Sequence, residues 1–311
     1  MTKFGLLINN KGKNMKVLSV KALTLFAFMA TSGCSINIQS SDLPIKKQEI
    51  ISFNTVVEDV NKLNAKYGTT NVLIVVDIDN TLLTNSVDIG GDIWYQWQRG
   101  KLDIKPTEDQ QVACLFEDSI GLLYELSPMN LTENSLPSII EQWQSNQNTI
   151  LALTSRAPVY RAATERELIR NGMNLELSAL SPRGQSAPVY RETFGRELSY
   201  MKGIMMTSGM NKGEMIDYIL EKTDREFDAI VFVDDSEKNI VNVYERFKDR
   251  SNIDTNIYHY VNIEHKREAE FGSVLTAVQA TKMANDWVEL NNTLNTVFPQ
   301  RDISKGCLSS N

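Results

Sequence analysis

The sequence predicts an α/β protein: a Rossmann-like three-layer arrangement around a parallel sheet. Three observations carry that prediction. Three short apolar runs, Asn71–Val76, Thr149–Leu153 and Ala229–Val233, have the length and β-branched content of buried strands. Segments with apolar residues at three- and four-residue spacing separate them. Each run stops at a polar or acidic residue. Strands alternating with helices imply a parallel sheet covered on both faces.

The elements follow in order. Glu49 to Lys66 places Ile50, Phe53, Val57, Val60 and Leu63 on one helical face, and Gly68 stands where a helix of that length would close. The first strand then ends at Asp77. Phe116, Ile120, Leu123 and Tyr124 predict a short helix that Gly121 weakens. Leu136-Pro137 opens another helix, proline being suited to a first turn. The second strand ends at Thr154-Ser155-Arg156. A helix from Pro158 to Arg170 leads through Asn171-Gly172 to a weaker strand, Asn174–Leu180. The third strand ends at Asp234-Asp235. Ser236 is a suitable N-cap for the helix carrying Ile240, Val243, Tyr244 and Phe247. A strand over Asn256–Val261 and a closing helix over Val274–Leu294, with Trp287 structural, complete the pattern. The pentapeptide Ala157–Arg161 recurs at Ala187–Arg191 without a third copy, which excludes a solenoid.

The chain has 311 residues, 42% hydrophobic and 23% charged, as expected of a globular protein. A formal net charge of -7 with no basic block argues against a nucleic-acid partner. Lys11, Lys13, Lys16 and Lys21 precede the apolar run Ala22–Ala30, and small residues lead into Cys34. That is the pattern of an export signal. The run is well short of the roughly 20 residues needed to span a bilayer. Thr31-Ser32-Gly33-Cys34 resembles the lipobox of bacterial lipoproteins, with Thr31 in place of the usual Leu-like residue. The expectation is a signal over residues 1–33, with Met15 an alternative start, then lipidated Cys34 and a tether over residues 34–48. The lipid would hold the protein in a bacterial cell envelope, at the periplasm or outer membrane. Cys114 and Cys307 fit no metal motif; a disulfide and two free thiols are both open.

Ligands of open parallel sheets bind outside the carboxyl ends of the strands. Asp77 and Asp79, Thr154, and Asp234 with Asp235 all fall at that edge. Closely spaced buried carboxylates are costly without a cation or a reaction to use them. In Asn211-Lys212-Gly213-Glu214, Asn211 can cap a helix that continues through Met215, Ile216, Ile219 and Leu220. Lys212 then sits in the first turn, where the macrodipole disfavours a cation. That placement implies an anion or carboxylates facing it.

In order and type these motifs resemble those of the haloacid dehalogenase superfamily: Asp77-x-Asp79-x-Thr81, Thr154, Lys212, then Asp234-Asp235. The resemblance covers residue 49 to the C-terminus. Within the superfamily the Leu153–Arg156 and Lys212-Gly213 forms are similar to an uncharacterised bacterial group, the domain of unknown function 2608 type. The resemblance implies a Mg²⁺-dependent phosphohydrolase acting on small phosphorylated substrates. Asp77 would be the nucleophile and Asp79 the acid/base; Thr154 and Lys212 would bind the phosphoryl group. Asp77, Asp234 and the Asp79 carbonyl would hold the metal. Asp235 and Thr81 would support the site, and Asn239 stands where many relatives carry an acid. Arg156 is open between contacting substrate and neutralising the edge.

A helical cap is expected over about residues 85–135 and a smaller insertion over about 181–210. Trp94, Tyr95 and Trp97 would either form the cap's core or line the entrance. A protein of this fold that binds a ligand or partner without turnover is the alternative, and phosphotransfer to an acceptor other than water would use the same residues.

Overall fold

The computed structural model describes residues 45–301 and residue 307. The expected export signal, Cys34 and most of the expected tether lie outside the described residues.

The main sheet has eight strands: β1 (Lys46–Ile50), β2 (Val72–Val76), β5 (Thr149–Thr154), β6 (Tyr190–Thr193), β7 (Glu197–Met201), β8 (Ile204–Met206), β9 (Ala229–Asp234) and β10 (Asp254–Tyr260). Their spatial order is β1-β10-β9-β2-β5-β8-β7-β6. The first six are parallel, and β6 and β7 run antiparallel at one edge. Helices α1 (Phe53–Tyr67), α4 (Leu136–Ser145), α5 (Arg161–Arg170), α6 (Lys212–Thr223) and α7 (Glu237–Phe247) complete the body.

Because successive strand residues face opposite sides, the sheet builds two cores. Ile74, Val76, Ile150, Ala152, Val231 and Val233 pack against Phe53, Val60 and Trp143. Leu73, Val75, Leu151, Leu153, Ile230 and Phe232 pack against Ile216, Ile219, Ile240 and Val243. This is the three-layer α/β architecture expected. In register, Val76 of β2 lies beside Val233 of β9 on one side and Ala152 of β5 on the other. The ends of the three central strands, and with them Asp77, Thr154 and Asp234, therefore converge.

Three expectations need correction. The first helix begins at Phe53, not Glu49, because Lys46–Ile50 pairs with β10 as an edge strand. Residues 46–48 thus belong to the sheet and not to a tether. Second, Asn174–Leu180 is not a strand. The Asn174 side chain accepts from the Glu176 amide at 3.1 Å and starts a tight turn over Leu175–Ser178. The place beside β5 is filled by β8, so the expected insertion over 181–210 reduces to the β6–β7 hairpin. A Cβ on Gly203, at φ +76°, would lie 2.6 Å from the Leu175 carbonyl oxygen, so glycine is what lets the β7–β8 turn and the 175–178 turn meet. Third, Ser236 stands at the α7 N-cap position without a capping bond from its hydroxyl; the Asp234 carboxylate accepts the Ser236 amide instead. The repeated pentapeptide enters a helix at 157–161 and a strand at 187–191, so tertiary context overrides local sequence.

A helical insertion leaves the sheet after β2. It contains α2 (Asp92–Gln98), a wide turn over Leu115–Ser119 and α3 (Ile120–Leu126). An antiparallel ribbon of β3 (Leu83–Asn85) and β4 (Met129–Leu131) pins its two ends together. Its return to the body therefore lies before residue 135. Glu133 already serves the body: it accepts from the Phe53 amide at 2.8 Å, the Ser52 hydroxyl and the Tyr260 hydroxyl, capping α1. The insertion has its own core, in which Ile93, Trp94, Trp97, Ile120 and Leu123 pack against Leu275, Ala280, Met283 and Trp287. The last three residues lie on α9 (Ala277–Val297), which follows α8 (Asn262–Phe271). Trp94 and Trp97 are fully buried, so they are core and not entrance; Tyr95 is half-buried. Cys114 and Cys307 form a disulfide, which ties the C-terminal segment to the insertion.

Candidate active site

Asp77 is held at the end of β2 by its own amide, which donates to the Val233 carbonyl at 2.9 Å and extends the ladder by one residue. The chain then turns sharply. The Ile78 carbonyl accepts from the amides of Thr81, Leu82 and Leu83, and Asn80 adopts φ +52°. The Asp79 carbonyl accepts none of these turn bonds.

Lys212 is the first residue of α6, and Asn211 caps that helix by accepting from the Glu214 amide at 3.2 Å. The Lys212 ammonium donates to the Asp77 carboxylate and, at 2.5 Å, to Asp234. All three groups are buried. Burial alone would lower the lysine's pKa; the charges of Asp234 and Asp77 outweigh it and hold the ammonium protonated well above its ordinary range. Burial pushes the Asp77 carboxyl upward, with Lys212 opposing and Asp234 and Asp79 reinforcing the shift. Gly213 explains how α6 reaches the site. A Cβ there would lie 2.6 Å from the Asn242 carbonyl oxygen and 2.7 Å from Cβ of Arg246, so only glycine lets α6 pack this closely on α7.

Asp79 has a different partner. Arg156 grips it with a bidentate fork, Nε to Oδ2 at 2.8 Å and Nη2 to Oδ1 at 2.6 Å. Arg156 also donates to the Thr164 hydroxyl at 3.0 Å and lies 4.0 Å from the centroid of the Tyr124 ring. Burial would lower its pKa, but the charge of Asp79 raises it. Of the two openings left by the sequence, neutralisation at the edge is what this geometry shows. Thr154 is buried; its hydroxyl accepts from the Arg156 amide at 3.1 Å, and its carbonyl accepts from the amide and hydroxyl of Thr207.

Carboxylate oxygens of Asp77, Asp234 and Asp235 all lie within 4.8 Å of one another. Asn239 directs its amide nitrogen, and not its oxygen, at this group: Nδ2 donates to Asp234 at 2.9 Å beside the Ser236 amide. It orients Asp234. Asp235 has its carboxyl pushed well up by burial and by Asp92, Asp77 and Asp234, while its carbonyl meets Nε2 of His259 at 2.9 Å. The Thr81 hydroxyl is buried and finds no hydrogen-bond partner among the described residues, and its carbonyl accepts from Thr132 at 2.6 Å.

Two residues at the site were missed. Asp92, at the start of α2, accepts from the Asn80 amide nitrogen at 3.2 Å. Burial pushes its carboxyl up to about 6, and the charge of Asp79 adds to the shift. The available signal was an acid in the first turn of a helix, which normally needs no further explanation. Tyr124 read only as part of an apolar face.

A model of the family described as a protein of unknown function, DUF2608, matches residues 49–300. The chain belongs to this family. Every candidate site residue from Asp77 to Asn239 lies inside the DUF2608 match. Two chlamydial proteins are similar over much of it. One from Chlamydia pneumoniae is 23% identical over 198 residues, covering 63% of this chain and 70% of its own length. One from Chlamydia muridarum is 19% identical over 199 residues, covering 64% and 72%. Both carry provisional names as outer membrane proteins. Among the described residues, no helix is long and apolar enough to cross a membrane.

Proposed function

We propose that this protein is a Mg²⁺-dependent phosphohydrolase of the haloacid dehalogenase superfamily, acting on small phosphomonoesters through an aspartyl-phosphate. The observation that carries the reading is the buried Lys212 ammonium bridging Asp77 and Asp234 where their strands end. A fold gains little stability from such a cluster, because desolvating three charges offsets their attraction. An anionic substrate that needs one nucleophilic carboxylate and one fixed cation accounts for it.

The donor set fits the metal. Asp77, Asp234 and Asp235 offer only carboxylate oxygens, and the Asp79 carbonyl is free of the turn's bonds. Hard oxygen donors without nitrogen or sulfur suit Mg²⁺, which would supply charge neutralisation on the phosphoryl group. Asp77 attacks phosphorus in line, the bond to the leaving oxygen breaks, and Asp79 gives that oxygen a proton. Asp79 then takes a proton from water, which attacks the aspartyl-phosphate and releases phosphate and Asp77. Lys212 offsets charge on the transferring group, and Thr154 donates its hydroxyl to a phosphoryl oxygen. The insertion acts as a cap that excludes water.

The export signal and the names of the chlamydial relatives support a place in the cell envelope, with a lipid anchor at Cys34. Cys34→Ala should release the protein from membranes; unchanged fractionation would refute the anchor. The activity is tested on a panel of phosphate esters with Mg²⁺ or EDTA. Turnover should require the metal and disappear in Asp77→Asn. Activity surviving either change would contradict the mechanism, and inactivity on all esters would favour a ligand-binding module.

A further inference from the structure

Arg156 is almost completely buried, and its surroundings come from three parts of the fold. Its fork holds both oxygens of Asp79, Nη1 donates to Thr164 of α5, Nη2 meets the Met129 sulfur at 3.3 Å, and the guanidinium rests on the Tyr124 ring. Thr164 is itself fixed, donating to the Tyr160 carbonyl at 2.8 Å. Tyr160 packs edge-on against Tyr124 with centroids 5.2 Å apart, and its hydroxyl donates to the Phe116 carbonyl at 2.7 Å. With these bonds made, the guanidinium has little left to offer a substrate.

We infer that Arg156 is a positioning residue for Asp79, and that the insertion sets this position through the Tyr124 ring. This rests on the proposed phosphohydrolase reading. A planar fork fixes both the place and the plane of a carboxylate, which a lysine ammonium cannot do. Asp79 is the group that must meet the leaving oxygen, so its aim decides how well protonation keeps pace with bond breaking. Tyr124 meets this pair through its ring, which lies against the Arg156 guanidinium and the Tyr160 ring. Nucleophilic attack and leaving-group protonation are thereby anchored to different parts of the molecule.

Two substrates separate this from a merely structural role. An aryl phosphate with a nitrophenolate leaving group departs with little need of a proton, whereas an alkyl phosphate such as glycerol phosphate depends on one. Arg156→Lys should lower kcat on the alkyl ester at least tenfold more than on the aryl ester, with KM little changed. Arg156→Ala should recover part of its alkyl-ester rate in millimolar guanidinium. Tyr124→Leu, which removes the ring, should repeat the alkyl-selective loss. Equal losses on both esters in Arg156→Lys and Tyr124→Leu would overturn the inference, as would guanidinium failing to rescue a folded Arg156→Ala. Inactivity of the wild-type protein on both esters would instead overturn the phosphohydrolase reading beneath it.

Discussion

The two ion clusters of the site differ in what holds them. Lys212, Asp77 and Asp234 are fixed by the sheet and by α6, which the Gly213 contact seats on α7. Arg156 and Asp79 are fixed by side chains from α5, β4 and the insertion. The first cluster is intrinsic to the three-layer body; the second depends on a helical unit with a core of its own. One sheet edge thus seats two ion clusters side by side, one held by the body and the other held in part by the insertion; in the proposed chemistry these would be the nucleophile's cluster and the proton donor's.

The largest effect should come from breaking the first cluster. Lys212→Met leaves two buried carboxylates unpaired, at a cost of about 3–5 kcal/mol, and should lower kcat/KM by about 10³-fold. Denaturant melts and steady-state rates check both, and near-normal turnover would remove Lys212 from the chemistry. Gly213→Ala should come next. The added methyl collides with the Asn242 carbonyl, lifts α6 and shifts Lys212, so kcat should fall some tens-fold on aryl and alkyl esters alike. An alkyl-selective loss would blur the distinction between the clusters.

Changes on the insertion side should be milder. Cys307→Ser removes the disulfide and should lower stability by about 2–4 kcal/mol. Its kinetic cost should fall on alkyl esters, because the insertion supports Asp79 and not Asp77. Asp92→Asn should have the smallest effect and a definite pH dependence. Burial favours the neutral carboxyl and raises its pKa to about 6 in the folded state, against about 3.9 unfolded. The stabilisation from that neutral form is present below pH 4 and lost as pH rises through 6. The asparagine variant should therefore match wild type at pH 4 and exceed it in stability above pH 7. A gain that grows toward low pH would have the wrong sign.

The sequence made the first cluster legible and left the second largely hidden. Short apolar runs ending in acids identify β2, β5 and β9, and their parallel register puts Asp77, Thr154 and Asp234 together. Lys212 betrays itself by occupying a helix start that disfavours it. Nothing comparable marks Tyr124 or Asp92, since an aromatic residue on a helical face and an acid in a first turn are both ordinary. The false strand at 174–180 has a similar cause: its apolar alternation was real, but the Asn174 cap and the close approach of Gly203 gave it to a turn. The edge strand β1 was absorbed into the first helix because Ile50 happens to fit the period of that helix.

The proposed mechanism requires that Asp77 becomes phosphorylated. Rapid acid quench of the Mg²⁺-loaded protein with a labelled phosphate ester, followed by peptide mapping, measures this directly. Label is expected on the peptide containing Asp77, lost on treatment with hydroxylamine and absent in Asp77→Asn. Turnover without any acid-stable label, or label on another residue, would contradict it.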